Sequence, residues 1–357
     1  MFGSAHARKR HVYPILAWAV VAILVVAAAF AGLVFVAVKM PFQGYTADSV
    51  LLDIAPRTTT IAILESLEKE GVLRDWRLGL VALRLLHPGK TLKAGEYRFS
   101  GERTPEQVIL AIVAGDVVTY RITVPEGFSS EEVFSLFTSQ GFGFPADYRY
   151  LDAHPAELEG VPAGAPSLEG FLFPETYTVT RSMSAREIVV TMTRAFARHV
   201  PAAFDEDARR VGLTLVGAVT LASLIEKETA IPDERPLVSA VYHNRMKHRM
   251  LLQADPTTIY ALKRLGQWRG VLARSQLLVD DPYNTYVTPG LPPGPICNPG
   301  LASLSAAVHP APEAYLFFVS AGDGSHQFSS TFDEHGKNVT RYLRSRRAQR
   351  ESARTQR

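Results

Sequence analysis

The sequence is poor in cysteine and contains no recognisable metal motif. Cys297 is the only cysteine among 357 residues, so the chain can form neither an internal disulfide nor a thiolate metal cluster. The histidines lack ligand spacing as well: His243 and His248 are five residues apart, whereas a zinc helix aligns two histidines four apart. We therefore expect no metal and no cofactor.

The sequence also has little net charge. Its formal charge is +3, and seven arginines lie between Arg341 and Arg357; outside this run acidic residues outnumber basic ones. A nucleic-acid-binding face over the main body is therefore not expected. Residues 344–357 are predicted to form a disordered basic tail, with weak contact to acidic polymers or lipid as an alternative. The sequence lacks a G-x-S-x-G elbow and a Walker loop, which argues against esterases, peptidases and nucleotide-driven enzymes.

One long uncharged segment stands near the N-terminus. Ile15–Val38 spans 24 residues, which as a helix would be about 36 Å long and would cross a bilayer with some tilt. Basic residues at positions 8–10 precede it, and Lys39 follows. By the positive-inside rule, residues 1–13 stay in the cytoplasm, 14–38 anchor the chain in the cytoplasmic membrane, and the rest is extracytoplasmic. A cleaved signal peptide and a buried core helix are the alternatives.

The remainder alternates between helical and strand patterns. Ser129 and Glu132 form the pattern of a capping box, and Pro145–Pro166 is predicted to be a loop. Glu169–Tyr177 (EGFLFPETY) combines aromatic and acidic residues, which fits a packed strand edge or a substrate groove. Periodicity predicts helices at Ile61–Lys69, Arg77–Leu86, Pro105–Ala114, Ala185–His199 and Leu213–Lys227, the last buried on nearly every side.

Two carboxylates lie at the end of that apolar helix. Successive helical residues turn by about 100°, so Glu226 and Glu228 face opposite sides and cannot act as a pair. The carbonyl groups at a helix C-terminus repel a carboxylate and raise its pKa. A carboxylic acid that is protonated near neutral pH is what general-acid chemistry requires. The alternative is that both acids form structural salt bridges with Arg235 or Arg245.

A proline-rich segment follows further along the chain. Pro289–Gly300 contains too many prolines and glycines for a helix or an inner strand, and is predicted to be an ordered loop. Tyr283, Asn284 and Tyr286 precede it and offer the amide, hydroxyl and aromatic groups of a carbohydrate groove. A rigid loop that carries polar groups is more often functional than accidental.

These motifs together resemble a known family. In order and spacing, "EKET" with "ER", "NR", "LQ-DPT-IY", "YNTY", "GLPPGPI-NPG" and "AA-HP" are similar to the MltG (YceG-like) endolytic murein transglycosylases. The resemblance is dense between Leu221 and Pro310 and extends from the anchor to about Leu343. It implies a small LysM-like module at residues 47–120, containing "AGEYRF", and a larger α+β catalytic domain at 121–343.

The resemblance also implies an activity. The family cleaves the bond between N-acetylmuramic acid and N-acetylglucosamine of nascent peptidoglycan strands without water and leaves a 1,6-anhydromuramic end. The catalytic glutamate of the motif maps to Glu228, which would act first as acid and then as base. Matching motif positions suggest supporting or substrate-binding residues, namely Glu226, Asn244, Gln253, Asp255, Tyr283, Asn284 and Tyr286; a buried structural hydrogen bond is the alternative for several of them.

Partners and rival functions follow from the same resemblance. Peptidoglycan strands are the implied substrate, and penicillin-binding synthases are implied partners because the family terminates strands close to them. One rival function is a non-catalytic wall-binding protein. Another is a hydrolytic muramidase that uses Glu228 with Asp255, since hydrolytic glycosidases usually need two carboxylates.

Overall fold

The computed structural model describes residues 12–355. The predicted cytoplasmic segment 1–13, with its basic residues, lies almost entirely outside that range. Helix α1 (Val12–Lys39) contains the predicted anchor. Its part from Leu16 to Lys39 is long and apolar enough to cross a membrane, and its side chains are largely exposed. An exposed apolar surface of this length is what lipid would cover, which agrees with a membrane anchor and not with a buried core helix.

The described chain divides into two compact units. The first consists of residues up to 120 together with 180–182. Strands β1 and β2 pair antiparallel from Ser49↔Ser100 to Ile54↔Gly95. Leu64, Leu67 and Ile109 are fully buried in its core. After α1 its elements are β1 (Ser49–Ile54), α2 (Thr60–Lys69), α3 (Trp76–Leu86), β2 (Gly95–Ser100) and α4 (Pro105–Ala114).

The second unit consists of residues 121–179 and 183–357. Strand β3 (Tyr120–Thr123), which enters this unit, pairs with β4, and β5 pairs with β6. Its helices and strands are α5 (Ser130–Ser139), α6 (Pro145–Ala153), β4 (Thr176–Val179), α7 (Ala185–His199), α8 (Phe204–Arg210), α9 (Leu215–Glu228), α10 (Arg235–Lys247), α11 (Asp255–Arg264), α12 (Leu301–Val308), β5 (Phe317–Ser320), β6 (His326–Ser329) and α13 (Phe332–Thr355).

Helix α9 is the centre of the second unit. Every residue from Ala218 to Ile225 is buried, and the helix packs against α8, α10, α11 and α12. The predicted burial on nearly all sides is confirmed. The reason is visible in the sequence, because a helix without a polar face must be surrounded by other elements.

Two expectations about local structure are corrected. The sequence predicts a loop at residues 145–166, but Pro145 occupies the first turn of α6, where its missing N–H leaves no bond unmade. The composition predicts disorder from residue 344 onward, whereas α13 continues through this tail to Thr355. The segment is rich in arginine and also contains alanine and glutamine, which favour helix. The capping box of Ser129 and Glu132 is confirmed at the start of α5.

The proline-rich segment is an ordered, buried loop, as predicted. Residues 294–300 are all buried, and they are held by backbone hydrogen bonds between Asn298 and residues 127–128 together with side-chain contacts. The Asn298 side chain accepts hydrogen bonds from the N–H groups of Gly170 and Leu172 and donates one to the carbonyl oxygen of Phe128. Ile296 N–H donates to Ser223 Oγ on α9 at 3.0 Å. The loop therefore ties α9 to two distant segments.

Candidate active site

The candidate acid lies where α9 ends. Glu228 is the last helical residue, and Thr229 follows it with an extended backbone. The Thr229 hydroxyl accepts a hydrogen bond from Ile231 N–H and donates one to Glu234 Oε2 at 2.9 Å. Pro232 comes next and cannot continue the helix. This local arrangement holds Glu228 at the C-terminal edge of the buried helix.

A hydrogen bond from the neighbouring helix positions the carboxyl group of Glu228. Tyr242 on α10 donates its hydroxyl proton to Glu228 Oε1 at 2.7 Å. Tyr242 is only 1% exposed, so its ring is fixed by packing. Glu228 itself keeps partial exposure. One carboxyl oxygen is therefore held by the protein, and the residue as a whole is half-buried.

The environment of Glu228 favours its protonated form. Burial of the carboxyl group, together with the negative charge of Asp255, raises the pKa of Glu228 to about 7, and the Tyr242 hydrogen bond, His326 and Arg245 oppose this rise. The predicted direction of the shift is confirmed at this residue. The main cause is burial, which disfavours the charged form, and not the helix end considered from the sequence.

Asp255 and Tyr286 form a second polar element of the site. Asp255 is the first residue of α11, and its Oδ1 accepts a hydrogen bond from the Tyr286 hydroxyl at 2.5 Å. Gln253 precedes the helix with φ 53°, and its N–H donates to Thr285 O at 3.1 Å. A left-handed backbone at a residue other than glycine is uncommon and concentrates at functional sites. The structure thus brings together three of the predicted residues, Gln253, Asp255 and Tyr286.

Arg245 is buried beside this group and holds the chain between α10 and α11. Its Nε donates to Leu316 O at 2.7 Å, and its Nη1 donates to Leu252 O at 2.8 Å. It forms no ion pair with Glu228 within 4.0 Å in the described part of the chain, so the salt-bridge alternative does not apply to that acid. Its charge nevertheless lowers the pKa of Glu228.

Glu226 faces the opposite side of α9, as the helical geometry predicts. Its Oε2 accepts a hydrogen bond from Gly300 N–H at 3.0 Å, and its Oε1 lies 3.6 Å from Arg235 Nη2. The side chains of this pair are 7% and 9% exposed. A methyl group on Gly300 would come within 2.0 Å of the Glu126 carboxylate, so the Glu126 side chain would have to shift to admit a larger residue there. Glu226 therefore has the structural ion pair that was the alternative for both acids.

The side-chain amides of two other predicted residues, Asn284 and Asn244, form hydrogen bonds within the protein. Asn284 is fully buried; its Nδ2 donates to the carbonyl oxygens of Leu277 and Val279, and its Oδ1 accepts from Thr258 Oγ1. Asn244 donates to two carbonyl oxygens in the segment before β5, those of Glu313 and Tyr315. Both contacts match the alternative of a buried or half-buried structural hydrogen bond.

Tyr283 lies away from Glu228. Its ring is 4.9 Å from the ring of Tyr260, and the Arg264 guanidinium group covers it at 4.5 Å. It lines a cavity at the other end of α11. The two tyrosines of "YNTY" therefore belong to different places, because the buried Asn284 and Thr285 between them turn the chain.

Three residues near Glu228 lie outside the predicted set: Tyr242, Glu234 and His326. Glu234 Oε2 lies 2.7 Å from His326 Nδ1, and Glu234 Oε1 accepts from His326 N–H at 2.7 Å. The His326 ring packs edge to face on Phe318, which packs in the same way on Tyr242. Glu234 belongs to the "ER" motif, but no spacing in the sequence connects His326 or Tyr242 with Glu228.

Neither metal ligands nor a reactive thiol accompany the acid in the part of the chain that the structure describes. Among residues 12–355, no three His, Cys, Asp or Glu side chains lie together as a metal site would need. Cys297 is fully buried, with its sulfur 3.4 Å from Ser223 O. The chemistry that the arrangement supports is proton transfer by one carboxyl group.

Comparisons with known proteins agree with the motifs. A family model described as the YceG-like family matches residues 52–341. The endolytic murein transglycosylase of Bacillus subtilis (strain 168) is 27% identical over 324 residues, which cover 86% of this chain and 88% of that protein. That of Streptococcus pneumoniae serotype 2 is 26% identical over 339 residues, covering 86% of this chain and 61% of that protein. The crystal structure of a YceG-like protein from Listeria monocytogenes is 27% identical with a TM-score of 0.50, covering 81% of this chain and 98% of that one.

Proposed function

Because the chain belongs to the YceG-like family, we propose that it is a lytic transglycosylase of peptidoglycan in which Glu228 is the catalytic acid and base. The observation that carries this proposal is the position of Glu228, partly exposed at a helix end, with burial raising its pKa to about 7. Relatives named endolytic murein transglycosylase support the reaction class.

The proposed reaction needs one carboxyl group. Glu228 gives its proton to the glycosidic oxygen as the bond from that oxygen to the anomeric carbon of N-acetylmuramic acid breaks. The 6-hydroxyl oxygen of the same sugar then bonds to the anomeric carbon, and its proton returns to Glu228. No water is consumed, and the product ends in a 1,6-anhydro ring. Holding the 6-hydroxyl group near the anomeric carbon supplies the proximity that such an intramolecular step requires.

A pKa near 7 suits both roles of the same residue. At neutral pH a large fraction of the acid is protonated for the first step, and its conjugate base is strong enough to accept a proton in the second. Tyr242 would hold the carboxyl group in one orientation through its 2.7 Å hydrogen bond. Asp255, fixed by Tyr286, would keep the pKa of Glu228 high by its charge.

The remaining parts receive roles under the same proposal. Helix α1 would anchor the protein in the cytoplasmic membrane, with residues 1–13 inside and the chain after Lys39 outside. Strand β1, helices α2 and α3, and strand β2 would form a LysM-like module that binds glycan, which is supported by their order and antiparallel pairing. Penicillin-binding synthases would be neighbours, since the proposed substrate is their nascent product.

Product analysis tests the reaction. Purified full-length protein is incubated with glycan strands, and the products are examined by mass spectrometry. We expect anhydro ends, and we expect Glu228→Gln to lower the rate by about 10²- to 10⁴-fold. Circular dichroism and thermal unfolding of the variant check that it is folded. Glu159→Gln, in an exposed ion pair with Arg194, is the matched control and should keep wild-type activity.

The rival functions give different products. A hydrolytic muramidase that uses Asp255 would release ends one water heavier, and the charge of Asp255 near Glu228 is the observation that favours it. A wall-binding protein would release no new ends. Either outcome, or undiminished anhydro product from Glu228→Gln, would contradict the proposal.

A further inference from the structure

The second unit contains a cavity that the proposed reaction does not use. It has a volume of about 940 Å³ and lies between α5, α6, α11 and the two segments 166–169 and 282–293. Its size is that of a ligand-binding site. Glu228, Asp255 and Tyr286 do not line it. The cavity is therefore distinct from the site of the catalytic acid, although both belong to the same unit.

Helix α11 connects the two places. It begins at Asp255, which acts on Glu228, and Tyr260 and Arg264 from its second half line the cavity. At about 1.5 Å per residue, these residues lie about 7 to 14 Å along the helix axis from Asp255. A four-residue extended peptide spans about 13 to 14 Å. A peptide attached to a sugar beside Glu228 could thus reach the cavity.

Among the described residues, two of the three basic side chains that line the cavity have no acidic partner within 4.0 Å. Lys263 is paired with Glu132 at 2.9 Å. Arg149 and Arg264 have no carboxylate within 4.0 Å among the described residues, and the Arg264 guanidinium group rests on the Tyr283 ring. A guanidinium group over an aromatic ring keeps N–H groups that can bind a carboxylate with two hydrogen bonds.

The most deeply buried acid of the cavity, Glu169, adds little negative charge at neutral pH. Glu169 is only 3% exposed and accepts hydrogen bonds from Ser130 N–H at 2.8 Å and from the Tyr260 hydroxyl at 3.1 Å. Burial raises its pKa to about 8, so it is mostly neutral at pH 7. Burial also raises the pKa of Asp152. Of the other acids, Glu132 is paired and Glu131 is exposed. Glu169 therefore competes little with a ligand carboxylate for Arg149 and Arg264.

We propose that this cavity binds the peptide stem of the muramic acid whose glycosidic bond is cleaved. Carboxylates of the stem would pair with Arg149 and Arg264, and its aliphatic parts would lie against Phe134 and Trp268, which also line the cavity. In a strand with its stems attached, the sugars themselves have no free carboxylate, so sugars alone would leave both arginines unpaired. The inference rests on the proposed function and adds a determinant of substrate choice.

Kinetics on two substrates test this inference. The ratio of kcat/KM for strands with peptide stems to kcat/KM for strands stripped by an amidase is measured for the full-length protein. Loss of one charge-assisted hydrogen bond should lower that ratio about tenfold in Arg264→Gln and in Arg149→Gln. Arg274→Gln, an exposed arginine outside the cavity, is the matched control and should keep the wild-type ratio.

Binding gives an independent readout. Titration of a soluble muramoyl peptide into full-length Glu228→Gln should show saturable binding that weakens about tenfold when Arg264→Gln is added. A ratio within twofold of wild type in both arginine variants, or muramoyl-peptide binding that is unaffected by Arg264→Gln, would overturn the inference. If the wild-type protein showed no lytic activity at all, the proposed function would be contradicted instead. The binding experiment does not depend on turnover, so the two failures can be distinguished.

Discussion

The Tyr242 hydroxyl group donates a hydrogen bond to Glu228 Oε1 at 2.7 Å and so connects two different helices. This bond favours the ionised acid, whereas burial and Asp255 favour the protonated one. The pKa of Glu228 near 7 is the balance of these opposing effects. The Tyr242 hydrogen bond and the Asp255 charge can each be removed by one substitution, and the two substitutions should move the pKa of Glu228 in opposite directions.

The pH dependence of the wild-type enzyme follows from that balance. In the proposed reaction protonated Glu228 acts first, so kcat/KM should be constant below pH 7 and should fall about tenfold per pH unit above it. Initial rates of anhydro-product release between pH 5 and pH 9 measure this profile. A rate that rises as the pH passes through 7 would mean that the ionised form starts the reaction, and would contradict the assigned role.

Removal of the Tyr242 hydroxyl group should move the profile towards higher pH. Tyr242→Phe takes away the hydrogen bond that lowers the pKa of Glu228, while burial is retained. The part of the pH profile in which kcat/KM falls, here called the falling limb, should shift to higher pH by about one unit. Tyr45→Phe, which loses a comparable hydroxyl bond to Gly101 O in the first unit, should leave the limb in place. An unchanged limb in Tyr242→Phe would show that the hydrogen bond does not set the acidity.

Neutralising Asp255 should act in the opposite direction. Asp255→Asn keeps an oxygen for the Tyr286 hydroxyl group but removes the charge that raises the pKa of Glu228. The falling limb should move to lower pH, with activity retained on the acidic side. Asp280→Asn, an exposed carboxylate, serves as the control. Complete loss of activity at every pH would indicate that Asp255 takes part in the chemistry, as in the muramidase alternative.

Glu226 should matter for stability rather than for acidity. Glu226→Ala leaves the buried Arg235 without its partner, which should lower the free energy of unfolding by about 3–5 kcal/mol. Glu206→Ala breaks the exposed pair with Arg210 and should cost about 0–1 kcal/mol. Chemical denaturation measures both values. If the folded Glu226→Ala protein showed a shifted pH profile of kcat/KM, Glu226 would influence the acidity of Glu228. The claim that the two acids act independently on opposite faces of α9 would then be wrong.

Glu169 should make stability depend on pH. Its pKa is raised to about 8 in the folded state by burial and is about 4.3 in the unfolded chain. Its stabilising effect is therefore fully present below about pH 4.3 and is lost as the pH rises to 8. Glu169→Gln cannot titrate, so its unfolding free energy should fall less than that of the wild-type protein between pH 5 and pH 8.

The matched control for that measurement is Glu131→Gln, an exposed acid of the same cavity. It should retain the pH dependence of the wild-type protein. Denaturation of the full-length protein in detergent, repeated at several pH values, gives the comparison. Parallel curves for the wild-type protein and Glu169→Gln would show that Glu169 is ionised in the folded state at neutral pH.

Much of the local structure could be predicted from the residues alone. The helix over Ala185–His199 has the predicted bounds, and the apolar run ending at Glu228 is the buried helix that its composition indicates. Side-chain periodicity and caps act within a few residues, so one sequence contains them. The helix at residues 145–153 could not be distinguished from a loop, because proline marks a helix start as readily as a loop.

The candidate site was only partly predictable. The angle of about 100° per residue separates Glu226 from Glu228 in any helix, and the motif resemblance indicates Glu228 as the acid. The sequence could not show that Asn284 is enclosed by carbonyl groups, or that Tyr283 turns towards another cavity. Those outcomes depend on how the loop packs against α11.

The sequence by itself determined that Glu228 lies at the end of a buried helix, that Glu226 faces away from it, and that a long apolar segment lies near the N-terminus. Only the tertiary structure decided the acidity of Glu228, because Tyr242, Asp255 and His326 come from separate segments of the chain. Burial and electrostatic interactions act through space over a few ångströms, and such distances between remote residues exist only once the chain has folded.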